Sequence, residues 1–286
     1  MPQRFDNFFH AVSGNEGDIC RYSTRLDTYG CGCQHNCGYC YARSLLDFRG
    51  LWNPVAPSAA SVRDIYKVVK NKLRPGDVVR LGGMTDCFQP MEAARKNTRR
   101  TIEMLNARRV HYLIVTKGAL VAQYTDVLDK ELAHIQISIT CTDPGLSRKV
   151  EPGASLPSAR LAAAEKLQAL GYDTALRLSP FIPEFIEMGG LDVQAINAVK
   201  CDKMLIEFLR VSHWIEEWLS PMVDLSNYSL SFHGYRHLPF EKKREAVKAF
   251  EGYHQVTVCD WEEKYLDYWK KEYNPNPDDC CNLTFK

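Results

Sequence analysis

The chain has 286 residues, of which 45% are hydrophobic, 25% charged and 11% aromatic. These fractions are ordinary for a globular protein, and they exclude a disordered chain, a collagen-like repeat and a coiled coil. The 36 Lys and Arg residues nearly balance the 35 Asp and Glu residues, so the formal net charge is +1. Proteins that bind nucleic acid mainly by neutralising phosphates are usually far more basic, so any contact with nucleic acid requires a local basic surface.

The role that the cysteines can play depends on the compartment in which the protein lies. Residues 1–18 lack the apolar stretch and the small-residue cleavage site of a secretory signal. No segment approaches the roughly 18 apolar residues that span a bilayer, so we expect a cytoplasmic protein without a membrane partner. In that reducing compartment, the 11 cysteines indicate metal ligation or thiol chemistry and not a disulfide framework.

Predicted strands and helices alternate through the middle of the chain. Short apolar runs predict strands at residues 26–29, 78–81, 112–115, 135–140, 174–178 and 204–208. Helical periodicity follows Cys40 and recurs at residues 91–107, 119–132, 158–170 and 191–199. This alternation is typical of βαβ units around a parallel sheet. We expect an α/β fold with six parallel strands, a partial (β/α)6 barrel of the TIM type.

The last 75 or so residues differ in character. They predict a hairpin near residues 228–233, a charged helix at 240–250, a strand at 255–259 and an aromatic helix that carries Trp261, Tyr265, Tyr268 and Trp269. We therefore expect three parts, which are an N-terminal arm (1–25), a barrel (26–210) and a C-terminal α+β extension that packs on the barrel (211–286).

A short loop concentrates the chemistry. Cys33, Cys37 and Cys40 form a CxxxCxxC pattern on a glycine-bearing loop, and runs of this kind hold iron–sulfur clusters. Three thiolates would leave one iron of a [4Fe–4S] cubane open to a small molecule. A structural zinc site is the alternative, and it would need a fourth ligand such as Cys31 or one of Cys280 and Cys281. Three buried free cysteines without any ligand are the other alternative.

Each predicted strand ends in a polar or glycine-rich group. In parallel α/β barrels, functional groups gather at the carboxyl ends of the strands, so these groups are expected to converge on one mouth. They are Gly82, Gly83, Thr85 and Asp86 after one strand, Thr116 and Lys117 after the next, then Ser138 and Thr140, Arg177 and Ser179, and Glu207 and Arg210.

The motifs resemble those of the radical S-adenosylmethionine (SAM) superfamily, and more narrowly its spore photoproduct lyase-like branch. The CxxxCxxC loop carries an aromatic residue, Tyr39, before its last cysteine. The resemblance continues in order through 40–43 (CYAR), 82–92 (GGMTDCFQPME), 115–118 (VTKG), 138–140 (SIT), 151–152 (EP) and 179–183 (SPFIP). It covers roughly residues 26–210.

The resemblance implies a [4Fe–4S] cluster on Cys33, Cys37 and Cys40, whose open iron is chelated by SAM. Electron transfer into SAM would then release a 5′-deoxyadenosyl radical, and a reductase such as flavodoxin or ferredoxin would supply the electron. It further implies contacts to SAM from Tyr39, Gly82, Gly83, Thr85, Asp86, Lys117 and Ser138. Asp86 stands near a place where the family often carries a glutamate.

Arg177 and two further cysteines complete the predicted site. Arg177 lies within an apolar strand, where an unpaired charge is costly, so we expect an anionic partner in SAM or a substrate phosphate. Spore photoproduct lyase uses a cysteine to return a hydrogen atom to its substrate, and Cys87 or Cys141 would take that role here. Cys259, Cys280 and Cys281 either approach the mouth or form a second metal site.

A pyrimidine nucleotide in DNA is the leading substrate hypothesis, with repair of a thymine dimer or rearrangement of a modified base as the reaction. Basic runs at residues 95–100 and 242–244 are the candidate phosphate contacts. The alternatives are radical chemistry on a peptide or small metabolite, and a non-catalytic metal-binding protein.

Overall fold

The computed structural model describes residues 5–12, 20–47, 49–260, 262–274, 276 and 279–285. Within them, twelve strands follow one another in chain order. They are β1 (Phe9–Ala11), β2 (Thr24–Leu26), β3 (Tyr29–Gly30), β4 (Ser58–Ala59), β5 (Val78–Leu81), β6 (His111–Thr116), β7 (Ala133–Ile139), β8 (Asp173–Phe181), β9 (Lys203–Phe208), β10 (Leu230–Phe232), β11 (Tyr235–His237) and β12 (Gln255–Cys259).

One eight-stranded sheet, in the order β1-β2-β5-β6-β7-β8-β9-β12, organises the fold. Within this sheet, every neighbouring pair from β2 through β5, β6, β7, β8 and β9 to β12 is parallel. Strand β1 pairs antiparallel with β2 at one edge. Strand β7 is buried at all seven positions, as expected for a parallel strand that is covered on both faces. The predicted α/β class and partial TIM-type barrel are confirmed.

Helices connect the parallel strands. They are α1 (Tyr41–Asp47), α2 (Val62–Lys72), α3 (Glu92–Arg95), α4 (Asn97–Arg108), α5 (Pro144–Val150), α6 (Pro157–Ala169), α7 (Glu184–Glu187), α8 (Val193–Asn197), α9 (His213–Leu219), α10 (Phe240–Val247) and α11 (Glu263–Glu272). No helix in the described part of the chain is both long and apolar enough to cross a bilayer. The sequence patterns did not predict α2, α5, α7 and α9.

Two predicted helices differ from the structure. Residues 119–132 contain only a short 3-10 helix at Ala119–Gln123. The ammonium of Lys166 donates to the carbonyl of Ala122 there, and the chain then turns towards β7. The helix expected at 91–107 is interrupted at Lys96, which has a left-handed backbone (φ 56°). There the buried carboxylate of Glu92 accepts the amides of Thr98 and Arg99 at the start of α4.

The C-terminal residues add to the main sheet. Strand β12 has the predicted bounds and pairs in parallel with β9, so the sheet has a seventh parallel strand beyond the six that were predicted. On α11, Trp269 is fully buried and Tyr265 stacks on Phe240 at 3.9 Å between ring centroids. Trp261 lies outside the described residues. The division into arm, barrel and extension stays a prediction.

Candidate functional site

A cavity of about 260 Å³ opens at the carboxyl ends of the parallel strands. Eleven of the thirteen site residues that the sequence predicted line it, which are Cys33, Cys37, Tyr39, Cys40, Gly82, Gly83, Thr85, Asp86, Lys117, Ser138 and Arg177. The strand-end residues Ser179, Glu207 and Arg210 join them. The residues that follow the parallel strands therefore meet at one cavity, as expected for such a barrel.

The cysteine loop, residues 31–40, is held in place by backbone contacts on two sides. The amide of Gln34 donates to Oε1 of Gln89 at 2.7 Å, and the amide of Gly38 donates to the carbonyl of Val150 at 3.0 Å. Gly153 packs so closely that an added Cβ would lie 1.8 Å from the carbonyl oxygen of Gln34. The loop therefore has a fixed shape, which a multidentate ligand loop requires.

The three thiols of the loop are shielded from water. Burial raises the pKa of Cys33 to about 12, and it also raises the pKa values of Cys37 and Cys40. The nearby ammonium of Lys117 favours the thiolate at Cys37 and Cys40. Because iron takes thiolates and not thiols, cluster binding at this loop must release protons. A cubane takes each of these thiolates on a separate iron, so the donor set fits a [4Fe–4S] cluster with one open iron.

Asp86 joins the cysteine loop to the end of β6. Its Oδ2 lies 3.2 Å from Nδ1 of His35, and it accepts the hydroxyl of Thr116 at 2.6 Å and the amide of Lys117 at 2.7 Å. Burial alone would raise the pKa of this carboxyl, but His35 and these donors outweigh it and lower the pKa to about 2. Asp86 lines the cavity as predicted, yet its oxygens are already engaged by the protein.

The Gly82–Gly83 turn has a backbone that only glycine adopts easily. Gly82 has a φ of +80°, and an added Cβ there would lie 2.7 Å from the carbonyl oxygen of Thr85. The buried carboxylate of Asp27 accepts the amide of Gly83 at 2.7 Å, and the hydroxyl of Tyr41 donates to the carbonyl of Gly83. This turn therefore presents backbone at the cavity wall.

A buried ion pair supports Tyr39 and Ser138. Glu151 and Arg160 are both fully buried and bond to each other. The hydroxyl of Tyr39 donates to Glu151, and it lies 3.0 Å from the hydroxyl of Thr140. Arg160 also donates to the carbonyl of Ser138 at 2.8 Å. Tyr39 thus lies at the cavity wall with its hydroxyl already bonded inside the protein.

The anionic partner of Arg177 lies within the protein. Its guanidinium bonds to Glu207 at 2.5 Å and to Oε1 of Gln136 at 2.6 Å. Burial of Arg177 alone therefore does not require SAM or a phosphate, because the carboxylate on the neighbouring strand already balances the charge, and its contact with SAM or a substrate phosphate stays a prediction. Arg177 still lines the cavity.

Lys117 lies close to the cysteine loop. Its ammonium donates to the carbonyl of Ser179 at 3.1 Å and lies 5.5 Å from the centre of the Tyr39 ring. This contact holds the positive charge at the cavity beside the loop.

The sequence prediction missed further cationic residues that line the cavity. Arg25 on β2 and Arg80 on β5 face it, together with His35 and Tyr41 of the cysteine segment. The cavity wall thus carries five basic side chains, Arg25, Arg80, Lys117, Arg177 and Arg210, against the carboxylates of Asp86 and Glu207. A usable signal was present, because Arg80 interrupts an apolar strand just as Arg177 does.

Three predicted contributors lie elsewhere. Cys87 and Cys141 are buried but do not line the cavity. The thiol of Cys87 points to the carbonyl of Leu81 at 3.8 Å, and Cys141 lies among Glu151, Arg160 and Ser147. Their prediction as hydrogen-atom donors is therefore not supported by their positions. Lys243, expected as a phosphate contact, is buried and bonds to Asp260 at 2.6 Å.

The fold and the loop define an α/β partial barrel with three neighbouring cysteines at the carboxyl edge of its sheet. Residues 28–187 match the family profile described as the Radical SAM superfamily. This match covers more than half of the chain, and the chain belongs to that superfamily. The cofactors of the superfamily are the predicted [4Fe–4S] cluster and SAM.

Solved structures share the fold. A spore photoproduct lyase complexed with a dinucleoside spore photoproduct has a TM-score of 0.61 and 18% identity, over 89% of this chain and 80% of that chain. A single-residue variant of the lyase has a TM-score of 0.63 and 17% identity, with the same coverage. Methylornithine synthase has a TM-score of 0.50 and 14% identity, over 82% of this chain and 64% of that chain. The predicted likeness to the spore photoproduct lyase branch is confirmed at the level of the fold.

Curated relatives match by sequence. An uncharacterized protein of Mycobacterium tuberculosis is 30% identical, over 55% of this chain and 49% of its own length. An uncharacterized protein of Methanocaldococcus jannaschii is 27% identical, over 55% of this chain and 60% of its own length. The chain spans about half the length of the curated relatives it matches.

Proposed function

We propose that the protein is a radical SAM enzyme that abstracts a hydrogen atom from a phosphate-bearing substrate, foremost a thymine-derived or modified pyrimidine nucleotide in DNA. The observation that carries this proposal is the composition of the cavity wall. The three loop cysteines share one cavity with five basic side chains and two carboxylates.

The cofactor would bind through residues that already face the cavity. Cys33, Cys37 and Cys40 would hold the cluster as thiolates, and Lys117 would offset part of their negative charge. When bound, the cluster and SAM supply a 5′-deoxyadenosyl radical by reductive cleavage of SAM.

The remaining residues bind and orient SAM. Lys117 would pair with the SAM carboxylate, because its ammonium is held at the cavity beside the cysteine loop. The Gly82–Gly83 turn would bring backbone carbonyls close to the amino group, since neither residue has a side chain in the way. Ser138 and Thr85 would contact the ribose and the methionine portion.

The rest of the wall excludes water and competing hydrogen donors. Tyr39 presents its ring to the cavity, while its hydroxyl is bonded to Glu151. Cys87 and Cys141 face away. A radical formed here would therefore meet the bound substrate before it meets a thiol or bulk water.

The excess of cations favours an anionic substrate. The five basic side chains outnumber the two carboxylates of the wall, although Arg177 and Arg210 both pair with Glu207. Basic side chains at a cavity bind phosphates through charge-assisted hydrogen bonds. One structural neighbour is a lyase complexed with a dinucleoside spore photoproduct, which agrees with a nucleotide at this position. A base in duplex DNA would have to leave the stack to reach the cavity.

An external one-electron donor is also required. We propose a flavodoxin or a ferredoxin in this role. Cys33 and Cys37 are buried and Cys40 is half-buried, so the donor would dock close to this loop to pass its electron to the cluster.

The test is release of 5′-deoxyadenosine from SAM under anaerobic conditions with dithionite. The reconstituted protein is assayed alone, with undamaged DNA, and with DNA that carries spore photoproduct. Stimulation by nucleic acid that weakens as salt rises supports the proposal. Arg210→Gln should reduce this stimulation, and Arg148→Gln, an exposed cation on α5 outside the cavity, should not. Release that a peptide mixture stimulates and DNA does not would move the substrate to the peptide class.

A further inference from the structure

Four cysteines that the cavity does not use come together inside the barrel. Cys20, Cys259, Cys280 and Cys281, here called the thiol cluster, come from three separate chain segments. The thiol of Cys280 makes side-chain hydrogen bonds with each of the other three, and the thiols of Cys20 and Cys281 also bond to each other.

The thiol cluster lies where the barrel is open. Cys20 precedes β2 near one edge of the main sheet, and Cys259 ends β12 at the opposite edge. The cysteines pack in a small apolar group that is separate from the main core. Its other buried members are Tyr22, Val78, Leu113, Leu205 and Leu283. A group that binds all four thiols would therefore connect the two edges of the sheet.

The C-terminal segment that carries two of the thiols is fixed to the barrel. The carboxylate of Asp279 accepts the amide of Cys281 at 3.0 Å, and Gln136 on β7 donates to the carbonyl of Cys281 at 3.3 Å. The ammonium of Lys203 on β9 donates to the carbonyl of Asn282 at 2.7 Å. Cys280 and Cys281 are thus held inside the barrel by the backbone on either side of them.

We propose that the thiol cluster is a second metal site, which takes one thiophilic divalent cation, Zn²⁺ foremost, as a tetrathiolate. Four cysteine thiolates are a standard ligand set for structural zinc. On binding, four metal–sulfur bonds form, and each ligand that is still a thiol breaks its S–H bond and passes one proton to solvent. No electron is transferred. This site is independent of the cluster on Cys33, Cys37 and Cys40.

The surroundings suit the charge of such a centre. One divalent cation with four thiolates carries a net negative charge, which Arg80 and Arg177 near Cys281 offset and the buried carboxylate of Asp279 opposes. Both arginines also line the cavity. The metal would therefore lie directly behind the cavity wall and brace it.

Binding requires a small adjustment. Among the described residues, no three His, Cys, Asp or Glu side chains already stand as ligands around one ion. A cysteine side chain turns about a single bond, χ1. The four thiols now stand in a hydrogen-bonded arrangement, so metal binding requires side chains of the thiol cluster to turn about this bond.

Metal content tests the proposal in full-length protein that cannot hold the other cluster. The triple variant Cys33→Ala/Cys37→Ala/Cys40→Ala is purified and analysed for zinc, iron and acid-labile sulfide. We expect about one zinc per chain, without sulfide. Adding Cys280→Ala should remove the metal, and adding Cys201→Ala, a buried thiol outside the cluster, should leave it bound. Cobalt in place of zinc should give the intense visible absorption of a tetrahedral thiolate site.

If the Cys280→Ala variant fails to fold, a second measurement on the triple variant still tests the metal site. The folded triple variant is alkylated before and after removal of metal with a chelator, and the modified cysteines are identified by mass spectrometry. Protection of the four thiols that ends with chelation supports the site. A folded triple variant without metal, metal that survives loss of Cys280, or a disulfide among the four cysteines would overturn the proposal.

Discussion

Nδ1 of His35 lies 3.2 Å from Oδ2 of Asp86, and this contact joins the cysteine loop to the strand-end loop after β5. The same carboxylate accepts from Thr116 and Lys117 at the end of β6. One buried side chain thus fixes the position of the three thiols relative to Lys117, which we propose to bind the SAM carboxylate.

Asp86→Asn should loosen the cysteine loop. An amide at this position places its own N–H group against groups that now donate hydrogen bonds to Asp86. We therefore expect a loss of about 3 kcal/mol in the free energy of unfolding. Iron content after reconstitution should fall as well. Denaturant unfolding and iron analysis measure both effects. Asp47→Asn, which affects only an exposed pair with Arg43, should change neither. Equal iron content in Asp86→Asn and the parent protein would show that the contacts of the Asp86 carboxylate are not needed to hold the cysteine loop.

Gly153→Ala should displace the cysteine loop. Its Cβ would lie 1.8 Å from the carbonyl oxygen of Gln34, and backbone cannot yield cheaply at that distance. The matched control is Gly252→Ala, because a Cβ on Gly252 meets nothing within 4 Å. Iron and sulfide per chain should drop in the first variant and stay unchanged in the second. A fully loaded Gly153→Ala protein would mean that the loop adapts more freely than its contacts indicate.

The buried pair of Glu151 and Arg160 should have a large effect on stability. Removal of one partner leaves the other charge buried, so Glu151→Gln should cost about 3–5 kcal/mol in the free energy of unfolding. The double variant Glu151→Gln/Arg160→Met should recover part of this loss. Chemical denaturation measures all three proteins. Glu245→Gln, in an exposed pair with Lys248, serves as the control. No recovery in the double variant would argue against the isolated charge as the cause.

His237 should make the protein sensitive to mild acid. Its side chain is buried on the hairpin of β10 and β11 and stacks on Phe232 at 3.7 Å between ring centroids. Burial, with Lys243 and Arg210 nearby, outweighs the opposing effects of Asp260 and a backbone hydrogen bond with Phe232 and lowers the pKa of His237 from 6.5 to about 4.

The sign follows from proton binding. Between pH 6.5 and 4 the unfolded chain holds more protons at this histidine than the folded chain, so stability falls as the pH falls through this window. We therefore expect a lower Tm at pH 5 than at pH 7, and a smaller decrease in His237→Gln than in the parent protein. Thermal melts at the two pH values test this. Identical decreases would assign the acid sensitivity to other groups.

The sequence predicted the parallel sheet and most of the cavity, because both depend on local patterns. Apolar runs identify buried strands such as β7, and the residues that follow parallel strands must meet at one edge. The cysteine spacing identified the loop without any tertiary information.

Other features depend on contacts between distant segments. The partner of Arg177 is Glu207, 30 residues away on the next strand, and nothing in the local sequence pairs them. Cys87 follows a strand end as a site residue would, yet its thiol turns to the carbonyl of Leu81. The break in the helix at Lys96 depends on a carboxylate that reaches the amides of α4. Such outcomes are decided by packing and not by periodicity.

The most direct test of the central claim is reductive cleavage of SAM by the anaerobically reconstituted protein. With dithionite, the parent protein should release 5′-deoxyadenosine, and Cys37→Ala should release none. Cys31→Ala changes a cysteine on the same loop that does not line the cavity, and it should retain the activity. A fully loaded [4Fe–4S] protein that releases no 5′-deoxyadenosine, or a Cys37→Ala variant as active as its parent, would contradict the account.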